Sequence, residues 1–225
     1  MLRTLISYPK SGRTKLRYAA HLIGCEGSIN WTHDGFAPGL TPSFAPRSMP
    51  KYAQQIAILI RSPKEILNSY YYHLTGRENM DLSMYSFLYT SPYGALALAQ
   101  AYQIWYEFAW QNNLLVVDFA DICRWPSTYL NHIFIDRGGI TDAQVAETSF
   151  ANMQAAEENE KVPHQWMRRK NGHPKVRSGK PDDYKDLFSL IDIVYIDGVC
   201  NASYEALRGL RWTPRRNCKS FPPEL

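Results

Sequence analysis

Cysteine is scarce and scattered: Cys25, Cys123, Cys200 and Cys218 contain no Cys-x-x-Cys pair. That spacing argues against a zinc site, and a chain of 225 residues has no need of a disulfide framework. The expectation is reduced thiols in a cytoplasmic protein. No basic-then-apolar leader precedes the first apolar run, so no signal peptide is read. The most apolar long stretch, residues 94–110, is interrupted by Gln100, Gln103 and Glu107, which makes it a buried helix and not a membrane span. Neither sign of charge dominates: the net charge is +4, far from a nucleic-acid-coating protein but compatible with an anionic ligand. No carboxylate cluster suggests a catalytic metal, and no repeat or low-complexity tract is present.

What remains is a globular composition, 45% hydrophobic and 13% aromatic, in a length that suits one domain spanning 1–225. Strand-like runs at residues 2–8, 28–32, 55–60 and 114–119 alternate with helical patterns at 14–23, 63–74, 92–110 and 126–134. The alternation predicts an α/β fold, a mostly parallel central sheet flanked by helices. In such sheets ligands collect beyond the carboxyl ends of the strands. Tyr8, His33, Arg61 and Phe119 all stand at or just past such ends, so one crevice can hold them. Residues 34–50, with four prolines, read equally as a lid or as a stiff surface excursion. A closing amphipathic helix over 187–210 would turn Leu187, Leu190, Ile191, Val194, Tyr195 and Leu207 inward.

Three segments carry chemistry. In the first, Leu5-Ile-Ser-Tyr-Pro-Lys-Ser-Gly-Arg-Thr14, an apolar strand breaks into a Lys-Ser-Gly turn that opens a helix. Backbone N–H groups and one lysine then aim at a single point, which suits a phosphate-like group. The two spaced glycines and the Gly-Lys-Ser/Thr of the nucleotide-triphosphatase loop are missing. Lys10, Arg13, Lys15 and Arg17 crowd positive charge where the helix dipole favours anions. A bound polyanion would offset that cost; on charge alone a solvated cationic face is an equal reading. In the second segment, Arg61 leaves a strand, Pro63 suits a first helical turn, and Ser69 follows two turns later. Arginine and serine could meet at one phosphate; an ordinary strand–helix junction is the alternative. The third is Val176-Arg177-Ser178-Gly179-Lys-Pro-Asp-Asp-Tyr184-Lys185. It lies in a basic stretch, 161–185, where eight Lys and Arg face two Asp. This is either an anion-folding loop or a solvated one.

Taken in order, these segments resemble the sulfotransferase family. The first is similar to its 5′-phosphosulfate loop, Tyr-Pro-Lys-Ser-Gly-Thr-Thr-Trp, and matches at Tyr8, Pro9, Lys10, Ser11, Gly12 and Thr14. The second resembles the family's 3′-phosphate Arg…Ser pair, and the third its Arg-Lys-Gly-x-x-Gly-Asp-Trp-Lys element. Weaker echoes place Phe119 at the aromatic position beside adenine, and Phe150 in a Ser-Phe-x-x-Met segment. The resemblance implies a P-loop-like sulfotransferase architecture using 3′-phosphoadenosine 5′-phosphosulfate (PAPS), with no metal. It implies donor contacts at Lys10, Ser11, Gly12, Arg13, Thr14, Lys15, Arg61, Ser69, Phe119, Phe150, Arg177, Ser178 and Gly179. His33 would take the proton of an acceptor hydroxyl, with Asp34 able to orient it, and Lys10 would meet the leaving oxygen. Imidazole, with a reference pKa near 6.5, can do this near neutral pH.

Three positions depart from the family: Arg13 for threonine, Lys15 for the tryptophan that stacks on adenine, and Trp31 for lysine. They keep open a catalytically degenerate nucleotide-binding relative. A nucleotide-dependent kinase would want a longer glycine-rich loop and magnesium-binding carboxylates. A nucleic-acid-binding module would rest on residues 161–185 alone. The acceptor class (alcohol, phenol, lipid or glycan) is open, as is the oligomeric state.

Overall fold

The computed structural model describes residues 4–33, 56–159, 169–176 and 182–213. Four strands, β1 (Thr4–Ser7), β2 (Asn30–Thr32), β3 (Ile56–Ile60) and β4 (Leu115–Asp118), form a wholly parallel sheet in the order β2-β1-β3-β4. The register pairs Ile6 with Thr32 and Ile58, and Ile58 with Val116. Every residue of β1 and of β3 is buried. A continuous Ile-Ala-Ile-Leu-Ile run suits a central strand covered on both faces.

Side chains alternate across the sheet. Ile6, Ile58, Ile60 and Val116 face a core built with Leu67, Trp105 and Leu207. These come from α2 (Pro63–Tyr72), α3 (Ala95–Asn112) and α8 (Leu190–Gly209). Leu5, Ala57, Leu59 and Val117 face the opposite core with Leu16, Ile122 and Leu130, from α1 (Arg13–Leu22), α4 (Phe119–Arg124) and α5 (Pro126–Ile133). Because β2 and β3 lie on opposite sides of β1, the strand order reverses there. The crevice beyond the ends of β1 and β3 is therefore a topological switch point, where open α/β sheets bind ligands.

Several expected boundaries move. The strand expected to run to 119 stops at Asp118, whose carboxylate accepts the Ala120 N–H at 3.0 Å and starts α4 with Phe119. The helix α2 passes into a π-helical turn, His73–Arg77. Besides α4, two further helices arise where none was expected, α6 (Asp142–Glu147) and α7 (Phe150–Glu158), and both are capped by side chains, of Thr141 and Ser149.

The inward face expected for the last helix is reversed at its start. Leu190, Ile191 and Val194 are 76%, 76% and 63% exposed, and the buried seam is Ile196, Cys200, Ser203, Tyr204 and Leu207. A capping box between Ser189 and Asp192 starts the helix, and the seam that meets α3 runs along the face away from Leu190, Ile191 and Val194. The thiols of Cys25, Cys123 and Cys200 are unpaired. Residues 34–50 and Cys218 lie outside the described residues.

Candidate active site

The turn after β1 is shaped by its backbone. Ser11 N–H donates to the Tyr8 carbonyl at 3.2 Å, while Lys10 and Gly12 take left-handed φ values of 73° and 98°. Tyr8 is fully buried and donates to the Tyr93 carbonyl at 3.1 Å, anchoring the loop instead of facing a ligand. Gly12 caps α1 with no side-chain hydrogen bond, and the first turn holds no acid. The open N–H groups and the dipole there favour an anion.

Around this loop lies a cleft of about 360 Å³. It is lined by Lys10, Gly12, Arg13, Thr14, Lys15, His33, Arg61, Ser69, Phe119 and Phe150, among others. The fold thus gathers these predicted residues, drawn from four strand ends and from α1, α2 and α7, at one place. Ser11 sits beneath the loop, fully buried, its Oγ without a hydrogen-bond partner among the described residues. Arg177, Ser178 and Gly179 lie outside the described residues.

One half of the cleft is knit by Phe119. Its ring lies where a Cβ on Gly12 would fall, 2.1 Å from Cδ2, so only glycine admits it. The Arg61 guanidinium sits 5.1 Å from the Phe119 ring centre. Arg61 also donates to the Lys10 carbonyl at 3.1 Å and pairs with Glu65 at 2.8 Å. Phe150 meets Phe119 edge-on at 6.4 Å.

Two of the crowded cations on α1 prove to be engaged. Lys15 is buried and its ammonium donates to the Thr148 carbonyl at 2.6 Å. Burial lowers its pKa. Arg17 pairs with Glu26 at 2.6 Å. Lys15 therefore walls the cleft with its stem and spends its charge on the 148 carbonyl.

His33 stands just past β2, and its Nδ1 lies 2.6 Å from the Ser7 carbonyl oxygen. A carbonyl can only accept, so Nδ1 carries the proton and Nε2 is the basic nitrogen. The orienting group is thus the β1 backbone; Asp34 lies outside the described residues. Burial first, then the charges of Arg13, Lys175 and Lys10, push the pKa of His33 down to about 3 despite the Ser7 bond. The ring is neutral at pH 7, the state a base requires.

The other half was not expected from the sequence. His73, Arg77, His173 and Lys175 line the same cleft. Arg61, Glu65, Ser69, His73 and Arg77 recur every four residues, and all five face the cleft. A step of four overshoots an α-helical turn and falls short of a π turn, so passing from one to the other keeps the row on one side. That spacing was a usable signal. His73 is pushed down to about 3 by burial and by Lys10, Lys175, Arg77 and Lys170. Lys175 falls to about 8 through burial, then Arg77 and Arg13.

A family model described as the sulfotransferase domain matches residues 36–210. The match begins after the Lys10 loop and His33, whose positions in the cleft come from the fold. A solved structure described as mouse sulfotransferase SULT7A1 complexed with PAP superposes with a TM-score of 0.64 at 16% identity. The superposition covers 93% of this chain and 86% of that one, and the likeness is one of fold. No curated protein sequence matches the chain. With a parallel sheet whose switch-point cleft is cationic, and a family match over most of its length, the chain belongs to the sulfotransferase family.

Proposed function

We propose that this single-domain chain transfers a sulfuryl group from PAPS to the hydroxyl of a small acceptor, with His33 as base and Lys10 beside the leaving oxygen. The observation that carries the reading is the convergence of Lys10, His33, Arg61 and Ser69 on one switch-point cleft. The cleft fits such a donor: Lys10 and the first turn of α1 line it, and Gly12 leaves the loop backbone bare beside Phe119. That the mouse sulfotransferase of like fold is a complex with PAP supports the same donor class.

When bound, the donor supplies sulfur, which gains a bond to the acceptor oxygen as the bond to the 5′-phosphate oxygen breaks with its electron pair. Everything else falls to the chain. Lys10 and the open N–H groups of α1 hold the 5′ end, where Lys10 offsets charge gathering on the leaving oxygen. Arg61, with Ser69 two turns along α2, receives the 3′-phosphate, its planar fork matching the oxygens. Phe119 and Phe150 offer apolar faces for adenine in place of the missing tryptophan. His33 Nε2 takes the hydroxyl proton while the Ser7 carbonyl holds the ring. Burial chiefly depresses His33, and anions entering among Arg13, Lys175 and Lys10 would offset the repulsion that adds to it, so the ring becomes more basic when loaded.

The unpaired thiols support a reducing, cytoplasmic setting. Among the described residues no helix is long and apolar enough to cross a membrane. Calorimetry with 3′-phosphoadenosine 5′-phosphate (PAP), AMP and ATP tests the site. A clear preference for PAP is expected, and equal binding of PAP and AMP refutes the 3′-phosphate assignment. Transfer of labelled sulfate to an acceptor panel then separates an active enzyme from a nucleotide-binding relic.

A further inference from the structure

The cationic side chains of the cleft fall into two groups that meet at Lys10. On one side Arg61 ties Lys10 to Phe119 and, through it, Phe150: the nucleotide half. On the other, Arg13, Lys175 and Arg77 stand with His33 and His73. Sulfuryl transfer moves away from the nucleotide, past Lys10, toward His33. The second group therefore borders the space the acceptor must fill.

This group is built, not incidental. Arg77 is 7% exposed and donates to the His173 carbonyl at 2.9 Å. Asn171 returns a bond to the Arg77 carbonyl at 2.9 Å. Gly76 passes so close to His173 that a Cβ there would lie 2.9 Å from Nδ1. Buried Glu157 accepts the backbone N–H groups of Lys175 and Val176 at 2.6 and 2.9 Å. Lys170 pairs with Glu78. The segment 169–176 is thus fastened to the π turn and to α7, which sets where Lys175 stands.

Counter-charge there is partial: Glu78 and Glu157 act on both Arg77 and Lys175, and Asp183 lines the same cleft. Among the described residues neither Arg13 nor Lys175 makes an ion pair. Glu65, on the cleft wall, is engaged by Arg61. Glu78, beside the cluster, pairs with Lys170 and faces His73. Glu157 uses both oxygens on backbone amides. Like charges gathered in a half-buried pocket are costly without a counter-charge, and an oxyanion supplies one.

We propose that Lys175 and Arg77, joined by Arg13, form a second anion subsite on the acceptor side of Lys10, so that the acceptor is a hydroxyl compound that itself carries a carboxylate, phosphate or sulfate. Arg13 is thereby reassigned from the donor contacts that the resemblance implied. The inference rests on the transferase reading above. It differs from a donor-only account in requiring that an anionic acceptor bind while the nucleotide half is full.

The test titrates matched pairs into PAP-saturated protein by calorimetry: hydroxy acids against their methyl esters, sugar phosphates against the parent sugars, and hydroxyaryl sulfates against the plain phenols. The charged member of the preferred pair should bind about tenfold or more tighter, the scale of one charge-assisted contact. Lys175→Ala should abolish the difference and Lys175→Arg should restore it, with PAP affinity changed far less by either. Sulfation rates should follow the same order. Equal binding within every pair overturns the inference, as does failure of every charged member to bind, or a preference that survives Lys175→Ala. Failure of PAP itself to bind refutes the transferase reading and takes this inference with it.

Discussion

Replacing Gly12 by alanine tests the geometry of the donor loop without removing a functional group. Two costs arise, and they can be separated. A Cβ at φ 98° is strained by about 1–2 kcal/mol. The new methyl would also lie 2.1, 2.2 and 2.7 Å from three atoms of the Phe119 ring, inside any contact distance. Phe119 is 5% exposed and begins α4, so it cannot swing into solvent freely; overpacking of this kind costs about 1–3 kcal/mol. The sum is about 2–5 kcal/mol, which for a chain of this size lowers Tm by about 4–20 °C. Gly24→Ala is the internal control, because Gly24 also has a left-handed φ of 71° but nothing within 4 Å of its Cβ. It should show the backbone cost alone, about 1–2 kcal/mol. Scanning calorimetry of both variants gives the difference. Gly12→Ala should also weaken PAP, since displacing Phe119 disturbs Arg61. A Gly12→Ala loss no larger than that of Gly24→Ala would refute the contact between loop and ring. So would strict additivity with Phe119→Leu, which trims the clashing ring and should recover part of the loss.

Arg61→Ala should weaken PAP by about 1.5–3 kcal/mol, the scale of a charge-assisted hydrogen bond, and AMP much less; equal losses in calorimetry would remove Arg61 from the 3′-phosphate. His33→Ala should lower turnover about 10²–10⁴-fold while nearly sparing PAP affinity, whereas Lys10→Ala should lower both; a His33 variant with near-normal turnover places the base elsewhere. Stability of the empty protein should fall on acidification. His33 and His73 are held down to about 3 when folded against about 6.5 unfolded, so the unfolded state binds protons first. The stability they contribute is whole above pH 6.5 and is lost toward pH 3, at up to about 1.4 kcal/mol per pH unit for each ring. Urea midpoints unchanged between pH 7 and 5 would contradict the burial of both rings, and saturating PAP should flatten the decline.

The sheet was legible because its strands are short apolar runs bounded by turn residues, and parallel pairing follows once helices intervene. The interior helices were legible for the same reason. What failed were elements set by capping instead of periodicity. The helix α4 exists because Asp118 turns back on Ala120 N–H, and an aspartate ending a strand reads the same whether or not it caps. The last helix misled differently. Leu190, Ile191 and Val194 form an apolar row at helical spacing, yet the row lies on the face of the helix away from the seam against α3. Periodicity fixes which residues share a face but not which face finds a partner.

At the site, residues at strand ends could be placed because topology alone brings such ends together: His33, Arg61 and Phe119 needed only the parallel order, whereas Tyr8, also at a strand end, is buried and anchors its loop. The charge of α1 could not be apportioned in the same way. Of its crowded cations, Arg17 is neutralised by Glu26, Lys15 is consumed by a carbonyl 133 residues away, and Arg13 is left facing the cleft. Spacing along α1 does not distinguish these fates; they depend on what stands opposite each side chain, the turn at Glu26 for Arg17 and the end of α6 for Lys15. The basic stretch 161–185 shows the converse. Read as composition it is a solvated run, and part of it is: Lys185 is exposed beside Asp182. Lys175 differs because Glu157 grips its amide while leaving its side chain to the cleft. Glu157 still acts on Lys175 and Arg77 through its charge, but with both oxygens on backbone amides it makes no ion pair with Lys175, whose ammonium is left to the cleft.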